Sequence, residues 1–194
     1  MRYQSRVLHP LLAAALLAQS SACIPVIAGY YDAESEYGKS IPAPRCKPDK
    51  SWLFEVDDVS LEIFPWDGSI GLNLRVPEQF TVDMETNVLR VWRGNEQQPY
   101  RLVINEFGQI KPGSMFDRAM VNWDSRLVGG TGAGFLGFKS QMLYTVTLTP
   151  SARLSDADQF KVAMPPFRIN GRRVELPVVK FSKSSRFFLA PVNC

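Results

Sequence analysis

The sequence is poor in histidine, and no apolar run is long enough to cross a membrane as a helix. The single histidine, His9, lies in an N-terminal segment with the pattern of an export signal. Removal of that segment leaves no histidine, which excludes a Ser-His-Asp triad, a Cys-His pair and histidine-ligated zinc. We therefore expect no enzyme, no catalytic residue, no cofactor and no metal site.

The net charge of the chain is also low. Two of the 22 basic residues, Arg2 and Arg6, lie in the N-terminal segment, which leaves 20 basic residues against 19 acidic ones. A net charge near +1 creates no field that would attract a polyanion. The sequence therefore predicts no nucleic-acid partner.

Residues 2–23 have the layout of a bacterial export signal. Arg2 and Arg6 form a positive region, and residues 11–18 form an apolar run that is too short to span a bilayer. Small residues then precede Cys23. This pattern predicts that residues 1–22 are a signal peptide.

The residues before Cys23 suit two kinds of cleavage. Ser20 and Ala22 satisfy the small-x-small rule of ordinary signal peptidase, which would release a soluble periplasmic or secreted protein. The run Ser-Ser-Ala-Cys ending at Cys23 also resembles the lipobox of bacterial lipoproteins, a family that prefers leucine where this chain has Ser20. The resemblance covers the signal alone. It implies that the Cys23 thiol is acylated and joins the protein to a membrane, and that Ile24 directs it to the outer membrane of a Gram-negative cell.

The chain has three cysteines, and an odd thiol is a liability in an oxidising compartment. If Cys23 carries lipid, Cys46 and Cys194 remain as a pair. We therefore predict a disulfide between Cys46 and Cys194 that ties the two ends of the domain together. Three independent thiols would instead suit a cytosolic protein, which does not agree with the signal.

The mature chain reads as a tether followed by one domain. Residues 23–49 contain several prolines and a polar middle, so we predict a lipid anchor and extended linker there. The alternative is that Tyr30 and Tyr31 dock on the domain. Residues 50–194 are predicted to form that domain.

The pattern from residue 51 onward is typical of β-structure. Apolar and polar residues alternate over 70–76 and 141–149, as in half-buried strands. Asp67-Gly68 and Asn170-Gly171 are hairpin-turn signals. Many short strands with turns between them predict an immunoglobulin-like antiparallel β-sandwich of about seven to nine strands, with a small β-barrel as the alternative. Short helical turns are expected only at 114–123 and 151–158.

Residues 129–137 form a glycine-rich stretch that contains G-x-G-x-x-G. A dinucleotide site needs a strand before this motif and a helix after it, whereas a strand pattern follows here. We therefore interpret the stretch as a loop between strands. Its functional alternative is a partner-binding loop with Phe135, Leu136 and Phe138 as apolar anchors, joined by Trp66 in a separate turn.

Pairs of acidic residues are the remaining candidates for chemistry. The pairs are Asp57 with Asp58, Asp83 with Glu85, and Asp156 with Asp158. Such pairs suit calcium binding or glycoside hydrolysis, but they are also common on solvated turns. Four tryptophans offer stacking surfaces for sugars, although packing between sheets is the simpler use.

These observations predict a non-enzymatic, envelope-anchored protein whose domain binds or assembles with an envelope protein or cell-wall material. One alternative is a carboxylate-based enzyme that acts on glycans. Another is a small periplasmic inhibitor or immunity protein.

Overall fold

The computed structural model describes residues 23–42, 49–112, 118–124, 126–130, 141–151 and 154–191. Within these ranges the chain forms sixteen strands and one 3-10 turn, Leu154–Asp156. The strands are β1 (Cys23–Glu34), β2 (Lys39–Pro42), β3 (Lys50–Val56), β4 (Val59–Trp66), β5 (Ser69–Pro77), β6 (Thr81–Met84), β7 (Val88–Arg93), β8 (Tyr100–Val103), β9 (Glu106–Ile110), β10 (Arg118–Asn122), β11 (Arg126–Val128), β12 (Gln141–Leu148), β13 (Gln159–Ala163), β14 (Phe167–Ile169), β15 (Arg172–Val174) and β16 (Val179–Pro191).

The strands form three open antiparallel sheets. The five-stranded sheet has the order β1-β16-β13-β7-β8, and the seven-stranded sheet has the order β10-β9-β12-β5-β4-β3-β2. The four-stranded sheet has the order β11-β6-β14-β15. The prediction of an all-β antiparallel sandwich is confirmed, with sixteen strands described rather than seven to nine.

One continuous hydrophobic core joins the three sheets. Its fully buried members include Phe54 and Ile63 of the seven-stranded sheet, Phe160 and Phe181 of the five-stranded sheet, and Ile169 of the four-stranded sheet. The rings of Phe160 and Phe181 stack with their centroids 4.8 Å apart. Burial of this apolar surface is the main force that holds the sheets together.

The core-facing residues follow the alternation in the sequence. In β12, Met142, Tyr144, Val146 and Leu148 are buried, while the residues between them are partly or fully exposed. Successive side chains of a strand point to opposite faces, so one face of β12 enters the core. The strands predicted at 70–76 and 141–149 are therefore confirmed.

Three hairpins have turns in which both central residues have positive φ, as a type I′ turn requires. Asp67-Gly68 (φ 45° and 81°) and Asn170-Gly171 (48° and 83°) were predicted from the sequence. The third turn is Asp57-Asp58 (50° and 67°), which joins β3 to β4 without a glycine. This acidic pair thus has a backbone role that its charge did not indicate.

The helical turn predicted at 114–123 is wrong for residues 118–122, which form β10. They pair with β9 from Arg118–Ile110 to Asn122–Glu106, and this pairing supplies backbone hydrogen bonds that a local helix would otherwise provide. The turn predicted at 151–158 is confirmed as Leu154–Asp156. No helix in the described ranges has the length and apolar character that a membrane crossing takes.

The segment predicted as a linker supplies two strands to the sandwich. β1 pairs with β16 over its whole length, from Cys23 opposite Pro191 to Glu34 opposite Lys180. Within β1, Tyr31 is 8% exposed and packs edge-on against Phe160 with ring centroids 5.1 Å apart. The docking alternative is therefore observed for Tyr31.

The hydroxyl of Tyr31 is 2.8 Å from the carbonyl oxygen of Leu154 and 2.7 Å from that of Ala157, and it donates to this pair. Its backbone N–H donates to Asp49 Oδ1 at 2.9 Å. Burial raises the pKa of Tyr31, and the negative charges of Asp49, Asp158 and Asp156 raise it further. These contacts fix the middle of β1 on the sandwich.

Candidate binding cleft

A cleft of about 900 Å³ opens between β8 of the five-stranded sheet and strands β9, β10 and β12 of the seven-stranded sheet. Its lining is a mixture of charged, polar and apolar side chains. The residues are Tyr100, Arg101, Leu102, Val103, Asn105, Glu106, Arg118, Met120, Val146, Thr147, Leu148, Thr149 and Ser151. Its volume lies within the range of known ligand sites.

One wall of the cleft is formed by β8, which is the last strand of the five-stranded sheet. β8 pairs only with β7 among the described strands. Leu102 is buried against the core, whereas Arg101 is exposed and the side chain of Val103 is 45% exposed. The alternation therefore commits one face of β8 to folding and leaves the other to solvent.

The opposite wall is β10, which is the last strand of the seven-stranded sheet. Met120 is 57% exposed, the highest value among the large apolar side chains that the structure describes. Arg118 lies across β9 over Gly108, since a Cβ placed at Gly108 would stand 1.8 Å from Arg118 Nε. A glycine at 108 thus makes room for this guanidinium.

The arginines of the cleft differ from those of the four-stranded sheet. Neither Arg101 nor Arg118 forms an ion pair with a described residue. Among the described residues, Glu106 is the one acidic side chain that lines the cleft. The arginines of the four-stranded sheet all contact carboxylates. The pairs are Arg126–Asp83 (3.8 Å), Arg168–Glu85 (3.8 Å), Arg172–Asp57, Arg173–Glu85 (3.1 Å) and Arg173–Glu175 (2.6 Å).

Two of the acidic pairs that the sequence offered as candidates for chemistry take part in these contacts with arginine. The Asp57-Asp58 pair forms a turn and meets Arg172, and the pair Asp83 and Glu85 is matched by arginines. Both arrangements fit solvated structural roles. Within the described ranges no three Asp, Glu, Cys or His side chains are grouped so as to hold a metal ion.

The third acidic pair lies near Tyr31. Asp156 and Asp158 are exposed, and both raise the pKa of the Tyr31 hydroxyl. In the structure, these two carboxylates act through their charge on the buried hydroxyl of Tyr31.

The predicted partner-binding loop falls largely outside the described residues. Phe135, Leu136 and Phe138 lie there, and so do Cys46 and Cys194 of the predicted disulfide. Cys23 is the first residue of β1. The loop, the disulfide and the lipid on Cys23 therefore remain predictions.

Trp66 and Trp52 lie in different environments. Trp66 is half-buried at the end of β4, edge-on to Phe64 with centroids 6.2 Å apart, and it does not line the cleft. Trp52 is 8% exposed and donates its indole N–H to the Tyr37 carbonyl at 2.8 Å. Packing in the hydrophobic core therefore accounts for Trp52.

Sequence reasoning missed the cleft. Residues 101–106 read as a strand, but the side to which Arg101 and Val103 point depends on pairing with β7. The exposed position of Met120 was not predicted, because residues 114–123 were interpreted as a short helix. Residues 118–122 read Arg-Ala-Met-Val-Asn, which has no alternation of polar and apolar residues, so the local pattern gave no signal for this strand.

No protein-family model, no curated protein sequence and no solved structure matches this chain.

Proposed function

We propose that this protein is a non-enzymatic lipoprotein of the bacterial envelope whose β-sandwich domain binds another envelope component. The observation that carries the binding role is the open cleft, where two sheets end side by side and two arginines have no partner among the described residues. Exposed, uncompensated charge and apolar side chains in one concave site favour binding over a purely structural surface.

The anchoring role rests on the N-terminal pattern that ends at Cys23. β1 begins at this residue and continues to Tyr31, which is fixed in the core. A lipid on Cys23 would thus be joined to the sandwich through a strand paired along its whole length. Such a connection would hold the domain close to the membrane surface.

The anchor is tested by the intact mass of the protein purified from its native host, with and without reductant. We expect a mass above that of the chain from Cys23 by two or three acyl groups, with a two-hydrogen gain on reduction of a Cys46–Cys194 bridge. Cys23→Ser should move the protein from the membrane fraction to the soluble fraction, whereas Cys46→Ser should leave it in the membrane. An unmodified mass would contradict the proposal and favour a soluble periplasmic or secreted protein.

The binding role is tested by capturing partners from envelope extract on the purified domain. We expect a partner that the wild type retains and that the double variant Arg101→Glu with Arg118→Glu does not. Hydrolysis of cell-wall glycans, lost on alanine substitution of Asp156 and Asp158, would instead support the carboxylate enzyme. A tight complex with a secreted toxin, retained by the cleft variant, would support an inhibitor.

A further inference from the structure

The outer edge of β8 has backbone groups that no described strand pairs with. We propose that this edge binds an extended acidic segment of a partner protein, which adds to the five-stranded sheet as a sixth strand and lies in the cleft. This inference rests on the proposed binding function and names the chemistry of the partner.

The register shows which residues of β8 face the outer edge of the sheet. The N–H of Ile104 donates to the carbonyl of Asn87 at 2.8 Å, and Leu102 lies opposite Leu89 in the same antiparallel register. Hydrogen-bonded and non-hydrogen-bonded pairs alternate along such a ladder. The N–H and C=O groups of Arg101 and Val103 therefore point away from β7 and toward an added strand.

The edge of β8 is short and lies beside open space. Four residues extend about 13 Å, and the adjoining cleft holds about 900 Å³. An added strand of a few residues would pair its backbone with Arg101 and Val103, as in other cases of strand addition to a sheet edge. The cleft supplies the room that such a strand needs.

The side chains around this edge select the chemistry of the added strand. Arg101 and Arg118 form no ion pair with a described residue, and a guanidinium binds a carboxylate through charge-assisted hydrogen bonds. Val103 and Met120 are 45% and 57% exposed, so they offer apolar contact beside the two charges. Because Arg101 and Val103 are two positions apart, they lie on one face of β8. An extended segment complements both when a glutamate and a β-branched residue stand two positions apart on its matching face.

Charge also argues against pairing of β8 with a second copy of this chain. Edge-to-edge association would bring the Arg101 and Arg118 groups of two copies near one another, and like charges across a strand pair are destabilising. Burial of a guanidinium without a carboxylate is costly. An acidic partner removes this repulsion.

The test uses the purified domain and a fluorescent, acetylated and amidated hexapeptide, Thr-Glu-Thr-Val-Thr-Glu, which places glutamate and valine on one face. Its control has lysine in place of each glutamate. We expect the acidic peptide to bind with a Kd below about 1 mM and the lysine peptide to bind at least about tenfold more weakly, because Arg101 and Arg118 repel it. Binding of the acidic peptide should weaken as salt is added.

The variants separate charge from backbone pairing. Arg101→Glu with Arg118→Glu should weaken binding by at least about tenfold, whereas Lys161→Glu, an exposed charge reversal outside the cleft, should leave it unchanged. Val103→Pro removes an outward N–H and should abolish binding, whereas Val103→Thr keeps the N–H and the shape and should retain binding.

Methylated peptides keep the test independent of how the protein variants fold. N-methylation of the amides that face β8 should abolish binding to the wild type, whereas methylation of the alternate amides should not. Equal binding of the acidic and lysine peptides, or no binding at about 1 mM, overturns the inference. It is equally overturned if an oligoglucuronate binds more tightly than the acidic peptide, or if the free protein is a dimer that Val103→Pro dissociates. None of these results alters the acylated mass or the membrane location, which test the anchor separately.

Discussion

The two outer strands of the five-stranded sheet, β1 and β8, hold the same topological position and have different roles. β1 has twelve residues and is fixed through Tyr31, whose ring packs on Phe160 and whose hydroxyl binds two carbonyl oxygens. β8 has four residues and presents Arg101 and Val103 to an open cleft.

Under the proposed function, one edge of this sheet would serve folding and the other would bind a partner. An edge strand presents unpaired backbone groups and invites association with other chains. In β1 the core contacts of Tyr31 make the strand part of the folded domain. In β8 the short length and the two arginines would restrict which chain could join. The comparison therefore predicts that changes near β1 affect stability, whereas changes along β8 affect binding.

The substitution with the largest expected effect on stability is Phe160→Ala. Phe160 is fully buried, and its ring contacts those of Tyr31 and Phe181. Loss of a buried phenyl ring should lower the free energy of unfolding by about 3–5 kcal/mol, measured by urea denaturation. The matched change on β8, Val103→Ala, should cost less than about 0.5 kcal/mol. Equal losses for the two variants would remove the distinction between the core contacts that fix β1 and the exposed side of β8.

A smaller effect is expected for Tyr31→Phe. The variant removes the hydroxyl and leaves the carbonyl groups of Leu154 and Ala157 without this donor. We expect a loss of about 1–2 kcal/mol in the free energy of unfolding. Tyr37→Phe is the control, because Tyr37 is 50% exposed and its hydroxyl bonds to the Glu55 carbonyl at the surface. If both variants unfold at the same denaturant concentration, the hydroxyl of Tyr31 does not hold β1.

The same tyrosine predicts a dependence of stability on alkaline pH. Burial, followed by nearby carboxylates, raises the pKa of Tyr31 in the folded state, so above the ordinary tyrosine pKa of about 10 the unfolded chain loses its proton first. The unfolded state then binds fewer protons than the folded state, and stability falls as the pH rises. Denaturation between pH 8 and 11, in wild type and Tyr31→Phe, should show a shallower decline for the variant.

The smallest expected effect concerns the ion pair on β1. Lys180 Nζ lies 2.8 Å from Glu34 Oε1, but neither side chain is buried, since Lys180 is 38% and Glu34 66% exposed. Glu34→Gln should therefore change stability by less than about 0.5 kcal/mol, and Arg101→Gln on β8 should do no more. Thermal denaturation of the two variants measures this difference. A loss above 1 kcal/mol for Glu34→Gln would mean that charge, rather than the Tyr31 contacts, secures β1.

Local patterns predicted the parts of the fold that depend on near neighbours. Alternation placed Met142 and Tyr144 on the core face of β12, and the turn at Asn170-Gly171 needed only two residues to be recognised. β10 was missed because Arg118–Asn122 is mostly exposed, and its strand conformation depends on pairing with β9.

The candidate cleft could not be predicted from local patterns. Arg101 and Arg173 are both exposed arginines on short strands. Arg173 meets Glu85, which is 88 residues away in the chain, whereas Arg101 meets no described carboxylate. Which of two similar residues is neutralised depends on where distant strands lie.

The sequence by itself determined the antiparallel β character, the hairpins at Asp67-Gly68 and Asn170-Gly171, and the alternation of β12 that turns one face to the core. These features follow from alternation and turn conformation over a few residues. Only the tertiary structure decided that β1 belongs to the sandwich and that β8 is the outermost of the described strands in its sheet. The physical reason is that both outcomes depend on contacts between distant residues, such as the bond from Tyr31 to Leu154 across 123 positions.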